Sequence, residues 1–168
     1  KLLLDEQHRK KLSDQVLIFG AGHVGQALNA QLKLLPLNVN IIDSRPPQTL
    51  DFVFPEGCVV TAFPESEIRV AQPSSAFVIL THNHALDFIL VKEALKRQDA
   101  AYVGMIGSKT KKAVLKKWLK KEGVEGFENV YTPLGASLSN RLGIDKRPSI
   151  IASFIVAEIL TVFQSHKK

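Results

Sequence analysis

Three short stretches carry residue types at spacings that suit chemistry. The first is Gly20-Ala21-Gly22-His23-Val24-Gly25, preceded by the apolar run Val16-Leu17-Ile18-Phe19 and followed, after a second run (Val39 to Ile42), by Asp43 and Arg45. Glycines at this spacing between a strand and a helix have separate mechanical roles. Gly20 permits a tight turn, Gly22 lets backbone N–H groups approach a pyrophosphate, and Gly25 lets the helix pack close to the strand. The start of that helix offers unpaired N–H groups and a positive dipole end, so it suits an anion held by backbone. Asp43 at the end of the second strand would accept hydrogen bonds from a ribose or similar diol and repel a 2′-phosphate, which points to NAD or AMP over NADP. Arg45 opposes that preference.

The second stretch is Thr81-His82-Asn83-His84-Ala85-Leu86-Asp87, at the end of the apolar run Ala76 to Leu80. Its two histidines are candidates for a phosphate contact, proton transfer or metal binding, while Asn83 or His84 also suits a helix cap. No further ligand stands near them in sequence, so a complete metal site is not expected. The third stretch, Gly104-Met105-Ile106-Gly107-Ser108-Lys109-Thr110-Lys111, repeats the strand–glycine–helix theme. Ser108 is placed to cap, Gly107 would let backbone approach a ligand, and the lysines add charge. It lacks the spacing of a Walker loop, so nucleotide hydrolysis is not indicated.

These stretches need a scaffold, and the rest of the sequence describes one. Helical spacing follows the first glycine turn (Val24, Ala27, Leu28, Leu32, Leu35), the histidine stretch (Leu86, Ile89, Leu90, Ala94, Leu95) and Ser108 (Val114, Leu115, Trp118, Leu119). Strand-like runs alternate with them: Gly57 to Val60 reads as a third strand, Pro64 to Val70 as a short helix, and Val130-Tyr131 as a sixth strand. The expectation is a three-layer doubly wound α/β fold, mostly parallel and Rossmann-like, with strand order 3-2-1-4-5-6. Residues 1–14 read as a lead-in or linker stub and residues 15–168 as one Rossmann-like nucleotide- or cofactor-binding domain. Pro148 suits the first turn of a closing helix whose near-continuous apolar surface would be buried against the sheet or against a second copy in a homodimer, with Glu158 as its one charge.

Composition narrows the function classes. Of 168 residues, 45% are hydrophobic, enough for a single domain with a real core. The single cysteine, Cys58, excludes an internal disulfide framework and a cysteine zinc cluster, fits a cytoplasmic setting, and is expected to pack as a small apolar residue. The run from Ile150 to Phe163 is interrupted by polar residues and is shorter than a membrane span requires, so no membrane association is expected. The net charge of +6 is concentrated, with seven lysines between Lys109 and Lys121, so it marks one segment. Without an aromatic platform or reading motif beside it, that segment does not indicate nucleic-acid binding.

The three stretches, in this order, together with Ile42-Asp43-Ser44-Arg45, Pro133-Leu134-Gly135 and the helix from Pro148 to Glu158, resemble the nucleotide-fold domain of xanthine dehydrogenase accessory proteins of the XdhC/CoxI type. The resemblance spans about Val16 to Leu160. It implies a chaperone that binds molybdenum cofactor (molybdopterin) and assists its insertion into the apo-enzyme of a molybdenum hydroxylase. The candidate cofactor-binding residues are Gly20, Gly22, His23, Gly25, Asp43, Arg45, Thr81, His82, His84, Gly107, Ser108, Lys109 and Thr110; no catalytic residue or metal ligand is assigned. The glycine turn and Asp43 serve an NAD-dependent oxidoreductase or a nucleotide-sensing domain equally well, and those alternatives stay open at this point.

Overall fold

The computed structural model describes residues 13–46, 53–139 and 145–166. The expected lead-in over residues 1–14 therefore lies almost wholly outside the described residues. Six parallel strands, β1 (Gln15–Phe19), β2 (Asn38–Asp43), β3 (Val59–Val60), β4 (Ala76–Ile79), β5 (Tyr102–Met105) and β6 (Val130–Tyr131), form one sheet in the order β3-β2-β1-β4-β5-β6. The expected doubly wound order is the observed one. Among the described residues six α-helices accompany them: α1 (His23–Leu32), α2 (Glu65–Arg69), α3 (His84–Lys96), α4 (Lys109–Lys121), α5 (Ala136–Ser139) and α6 (Pro148–His166).

β1 explains the layers. Its alternating side chains send Val16 and Ile18 to one face and Leu17 and Phe19 to the other. On the first face they meet Leu28 and Leu32 of α1 and Ala152, Ile155 and Ile159 of α6; on the second they meet Ile68 of α2, Leu90 and Val91 of α3, and Leu115 and Leu119 of α4. Both faces of the strand are dry, as a parallel sheet requires. Each such buried aliphatic side chain contributes about 1.5–3 kcal/mol relative to exposure.

Register sets the site. Phe19 lies opposite Ile42 on one side and Ile79 on the other, and Ile79 lies opposite Met105. The four central strands therefore end level, and the chain leaves each one along a single edge of the sheet. Backbone bonds continue the ladder one step further: Gly20 N–H donates to the Ile42 carbonyl at 2.8 Å, Leu80 N–H to Phe19 at 2.9 Å, and Ile106 N–H to Ile79 at 2.9 Å. Between β1 and β4 the crossovers reverse direction, which opens a crevice at the carboxyl edge.

Two helices bury something other than the expected stripe. In α3, Ile89 is 42% exposed and the buried face is Asp87, Leu90, Val91 and Ala94; in α4, Val114 is 51% exposed and the buried face is Lys111, Leu115 and Leu119. In both, a charged residue occupies the first turn of the core-facing stripe. α6 is long and apolar enough by composition to cross a membrane, but in this fold its Ala152, Ile155, Ile159, Val162 and Phe163 complete the core. Its Glu158 is buried, and its carboxyl group accepts from the Tyr102 hydroxyl at 2.5 Å, from Gly135 N–H at 3.1 Å and from the Ser137 hydroxyl. Burial and the neighbouring Glu158 charge push the Tyr102 hydroxyl well above its ordinary pKa.

Candidate functional site

The first glycine turn links β1 to α1, and its three glycines differ in what surrounds them. Gly20 has φ +124°, and a Cβ there would lie 2.3 Å from the Leu80 carbonyl oxygen. A Cβ on Gly25 would lie 1.9 Å from the Gly20 carbonyl oxygen. Both are glycine because protein backbone fills the space. Gly22 has an ordinary extended backbone (φ −76°, ψ −170°), and a Cβ there would meet nothing within 4 Å. It stands at the N-cap of α1 without a side-chain cap, so the helix start opens onto free space beside it. His23, the next residue, is exposed.

Asp43, at the end of β2, is folded back onto this turn. Its Oδ2 accepts from Ala21 N–H at 2.8 Å and from Arg45 Nη2 at 2.8 Å; its Oδ1 accepts from Arg45 N–H at 2.8 Å and Arg45 Nε at 3.0 Å. The Asp43 side chain is 2% exposed and that of Arg45 19%. Burial raises the Asp43 pKa, but the bonds from Arg45 and Ala21 outweigh it and hold the carboxyl below its ordinary range. Cys58 lies half-buried against the core, its thiol pushed up first by burial and then by the charge of Asp43, so it is not activated as a thiolate.

At the end of β4, Asn83 is the cap of α3: its side-chain oxygen accepts from Ala85 N–H at 2.9 Å and Leu86 N–H at 3.2 Å. Thr81 turns inward, donating its N–H at 3.0 Å and its hydroxyl at 2.6 Å to Asp87 Oδ1. His82 and His84 are exposed on either side of the cap. After β5, Ser108 caps α4 by accepting Lys111 N–H at 3.2 Å. Gly107 has φ +149°, and a Cβ there would strike the Lys111 side chain at 2.4 Å. The room made by this glycine is taken by the protein's own lysine. Lys111 Nζ donates to Asp87 Oδ2 at 2.6 Å and to the Ile106 carbonyl at 2.9 Å, while Lys109 and Thr110 remain exposed.

Asp87 and Lys111 thus join the second and third stretches through a buried ion pair, a connection that sequence spacing did not assign. The available signal was a charged residue in the phase of the apolar stripe, at Asp87 before Leu90 and Val91 and at Lys111 before Leu115. Among the described residues no group of three His, Cys, Asp or Glu is placed to hold a metal ion. An open cleft of about 1170 Å³ lies elsewhere, near the amino ends of β5 and β6, lined by Lys96, Gln98, Tyr102, Gly126 and Asn129 among others. Its position separates it from all three stretches.

A level parallel sheet, a glycine turn into a helix at the switch point and an acidic residue after the second strand define a Rossmann-type domain. The chain belongs to the XdhC Rossmann domain family, whose model matches residues 16–159. A solved structure described as a xanthine dehydrogenase from Bacillus halodurans aligns with a TM-score of 0.72 at 25% identity, over 91% of this chain and 43% of that one. This chain therefore spans less than half the length of that neighbour. No curated protein sequence matches it.

Proposed function

We propose that this domain is a cytoplasmic accessory module that binds molybdenum cofactor and assists its delivery to a molybdenum hydroxylase of the xanthine dehydrogenase type. The observation that carries this reading is Gly22, the glycine of the first turn whose side-chain position faces open space at a helix start that no side chain caps. An open helix start of that kind suits a phosphate held by backbone. When bound, the cofactor supplies a pterin dithiolene for molybdenum; this chain binds and orients it. Gly22 and the first turn of α1 would receive the phosphate, and the exposed His82 and His84, at the start of α3, would contact its polar edge. Lys109 and Thr110 add donors at the rim. No nucleophile paired with a base stands among these residues, which favours a binding role over catalysis. The oxidoreductase alternative relies on Asp43 as a ribose acceptor, and a carboxylate already holding four donors gives it less support.

The test is titration of released molybdenum cofactor against wild type and Gly22→Val, followed by activation of an apo molybdenum hydroxylase. Because the backbone at Gly22 is extended and its Cβ position is empty, Gly22→Val should keep the fold. We expect it to lose binding and activation by at least about tenfold, the equivalent of one charge-assisted contact. Turnover of a nicotinamide cofactor with a small substrate, without affinity for the pterin, would transfer the case to an oxidoreductase.

A further inference from the structure

We propose that the outward face of α4 is a docking surface for a protein partner that presents a carboxylate-rich patch, and that it steers this partner to the side of the crevice. α4 carries seven lysines and no acidic residue, and those seven exceed the whole surplus of basic over acidic side chains in the chain, 22 against 16. Lys111 is buried with Asp87; Lys109, Lys112, Lys116, Lys117, Lys120 and Lys121 are exposed. Lys109, Lys116, Lys117 and Lys120 recur with Ala113 at helical spacing on the side opposite the buried Lys111, Leu115 and Leu119, so they form one stripe. Among the described residues no ion pair engages any of the six exposed lysines, and the acid that follows the helix, Glu122, is held by Lys92 at 3.1 Å. The stripe works against its own helix. Lys112 with Lys116, Lys116 with Lys120 and Lys117 with Lys121 are like charges four residues apart, and Lys109 and Lys112 stand in the first turn, where the dipole is positive. The fold gains nothing from that arrangement, which places its use outside the chain.

The composition of α4 selects among anionic partners. It cannot lie in a membrane interface on an apolar face, because Leu115 and Leu119 already fill the core. It has no Arg, Asn or Gln to read base edges or to grip phosphate oxygens in a fork. Beside the lysines stands an apolar anchor: Val114 is 51% exposed, and Trp118, one turn on, lies with its ring centre 5.7 Å from that of Phe88 and 5.8 Å from Lys92 Nζ. Lysines around an aliphatic and aromatic patch match the polar rim and apolar centre of a protein interface. A helix about 20 Å long offers a surface at the small end for specific interfaces, which suits a transient, electrostatically steered encounter. Its first residue, Lys109, follows the Ser108 cap at the carboxyl edge of the sheet, so a partner seated along α4 stands beside the crevice.

The choice of partner for the test rests on the delivery reading, in which the client is a molybdenum hydroxylase of the xanthine dehydrogenase type. The experiment measures association of the full chain with that apo-enzyme by biolayer interferometry, at about 50 and about 300 mM salt, for wild type and two triple variants. One variant carries Lys116→Glu, Lys117→Glu and Lys120→Glu; the other carries Gln at the same three positions and keeps the test decisive if the first fails to fold. Wild type should lose about tenfold or more in association rate at the higher salt, the Glu variant should lose about tenfold or more at the lower salt, and the Gln variant should fall between them. Association insensitive to these substitutions and to salt, no association at all, or tighter binding of duplex DNA or of phosphatidylserine vesicles than of the apo-enzyme would overturn the inference. A parallel pterin titration separates it from the cofactor reading. Pterin binding that depends on Gly22 without charge-dependent association overturns only this inference; charge-dependent association without pterin binding leaves it standing and removes the cofactor reading.

Discussion

The two glycine turns, Gly20 to Gly25 and Gly107 to Lys111, look alike as strings: each follows an apolar strand, each opens a helix, and each is flanked by polar side chains. In three dimensions they do opposite things. The first has two glycines closed off by backbone and one, Gly22, facing open space; in the second, the glycine exists to let Lys111 fold back beneath it. The first turn leaves the side-chain position of Gly22 open, and the second has its space filled by Lys111. A glycine in a strand-to-helix turn therefore identifies a place where backbone comes close to something. Only the direction of its missing Cβ says whether that something is a ligand or the protein itself.

Substitutions at these positions test the contrast, beginning with the largest effect. Gly25→Ala places a Cβ 1.9 Å from the Gly20 carbonyl oxygen, and we expect a loss above about 4 kcal/mol or failure to fold, read by urea denaturation. Lys111→Met leaves Asp87 buried without its cation and should cost about 3–5 kcal/mol. The double change Lys111→Met with Asp87→Leu should recover most of it, and a double change as damaging as the single one would show that the pair does more than neutralise itself. Glu158→Leu orphans the Tyr102 hydroxyl and Gly135 N–H and should cost about 1–3 kcal/mol for each, visible as a lowered urea midpoint.

The ion pair of Asp43 with Arg45 gives a pH dependence. Its folded pKa lies below the ordinary 3.8, so its contribution to stability is present above pH 3.8 and is lost as pH falls through the lower folded value. Arg45→Gln removes the largest lowering contact, so the difference in stability between pH 7 and pH 3 should shrink in that variant. The smallest effect belongs to Gly22→Ala, which meets no atom and should change stability by no more than about 0.5 kcal/mol while weakening phosphate binding. A large loss of stability there would erase the contrast between the two turns.

Much of this contrast was hidden in the sequence, although the scaffold was not. Alternation of apolar strands with helical periodicity was enough for a layered parallel sheet, whose central strands are buried on both faces, and the glycine turn pointed to the doubly wound order. Asn83 and Ser108 were legible as caps because short polar side chains directly before a periodic run have little else to bond. Asp87 and Lys111 were not assigned, since each alone resembles a residue on a solvated face and their pairing depends on how α3 lies beside α4. The bond between Asp43 and Arg45 spans only two residues, yet it depends on a backbone turn that no periodicity encodes. Ile89 and Val114 were placed in the core by spacing, and their exposure follows from the helices being rotated to bury that ion pair.

Asp87 gives one oxygen to Thr81 and the other to Lys111, whose ammonium also holds the Ile106 carbonyl. Two loops that sequence separates are thereby pinned to a single carboxylate, and neither can lift without breaking a bond anchored in the other. The floor of the crevice behaves as one plate. Motion at this place is left to the exposed side chains above it, His82, His84 and Lys109, which reorient on the picosecond-to-nanosecond scale of surface rotamers and not on the slower scale of loop opening. For the binding role proposed above, a ligand would pass mobile side chains over a base pinned by Asp87.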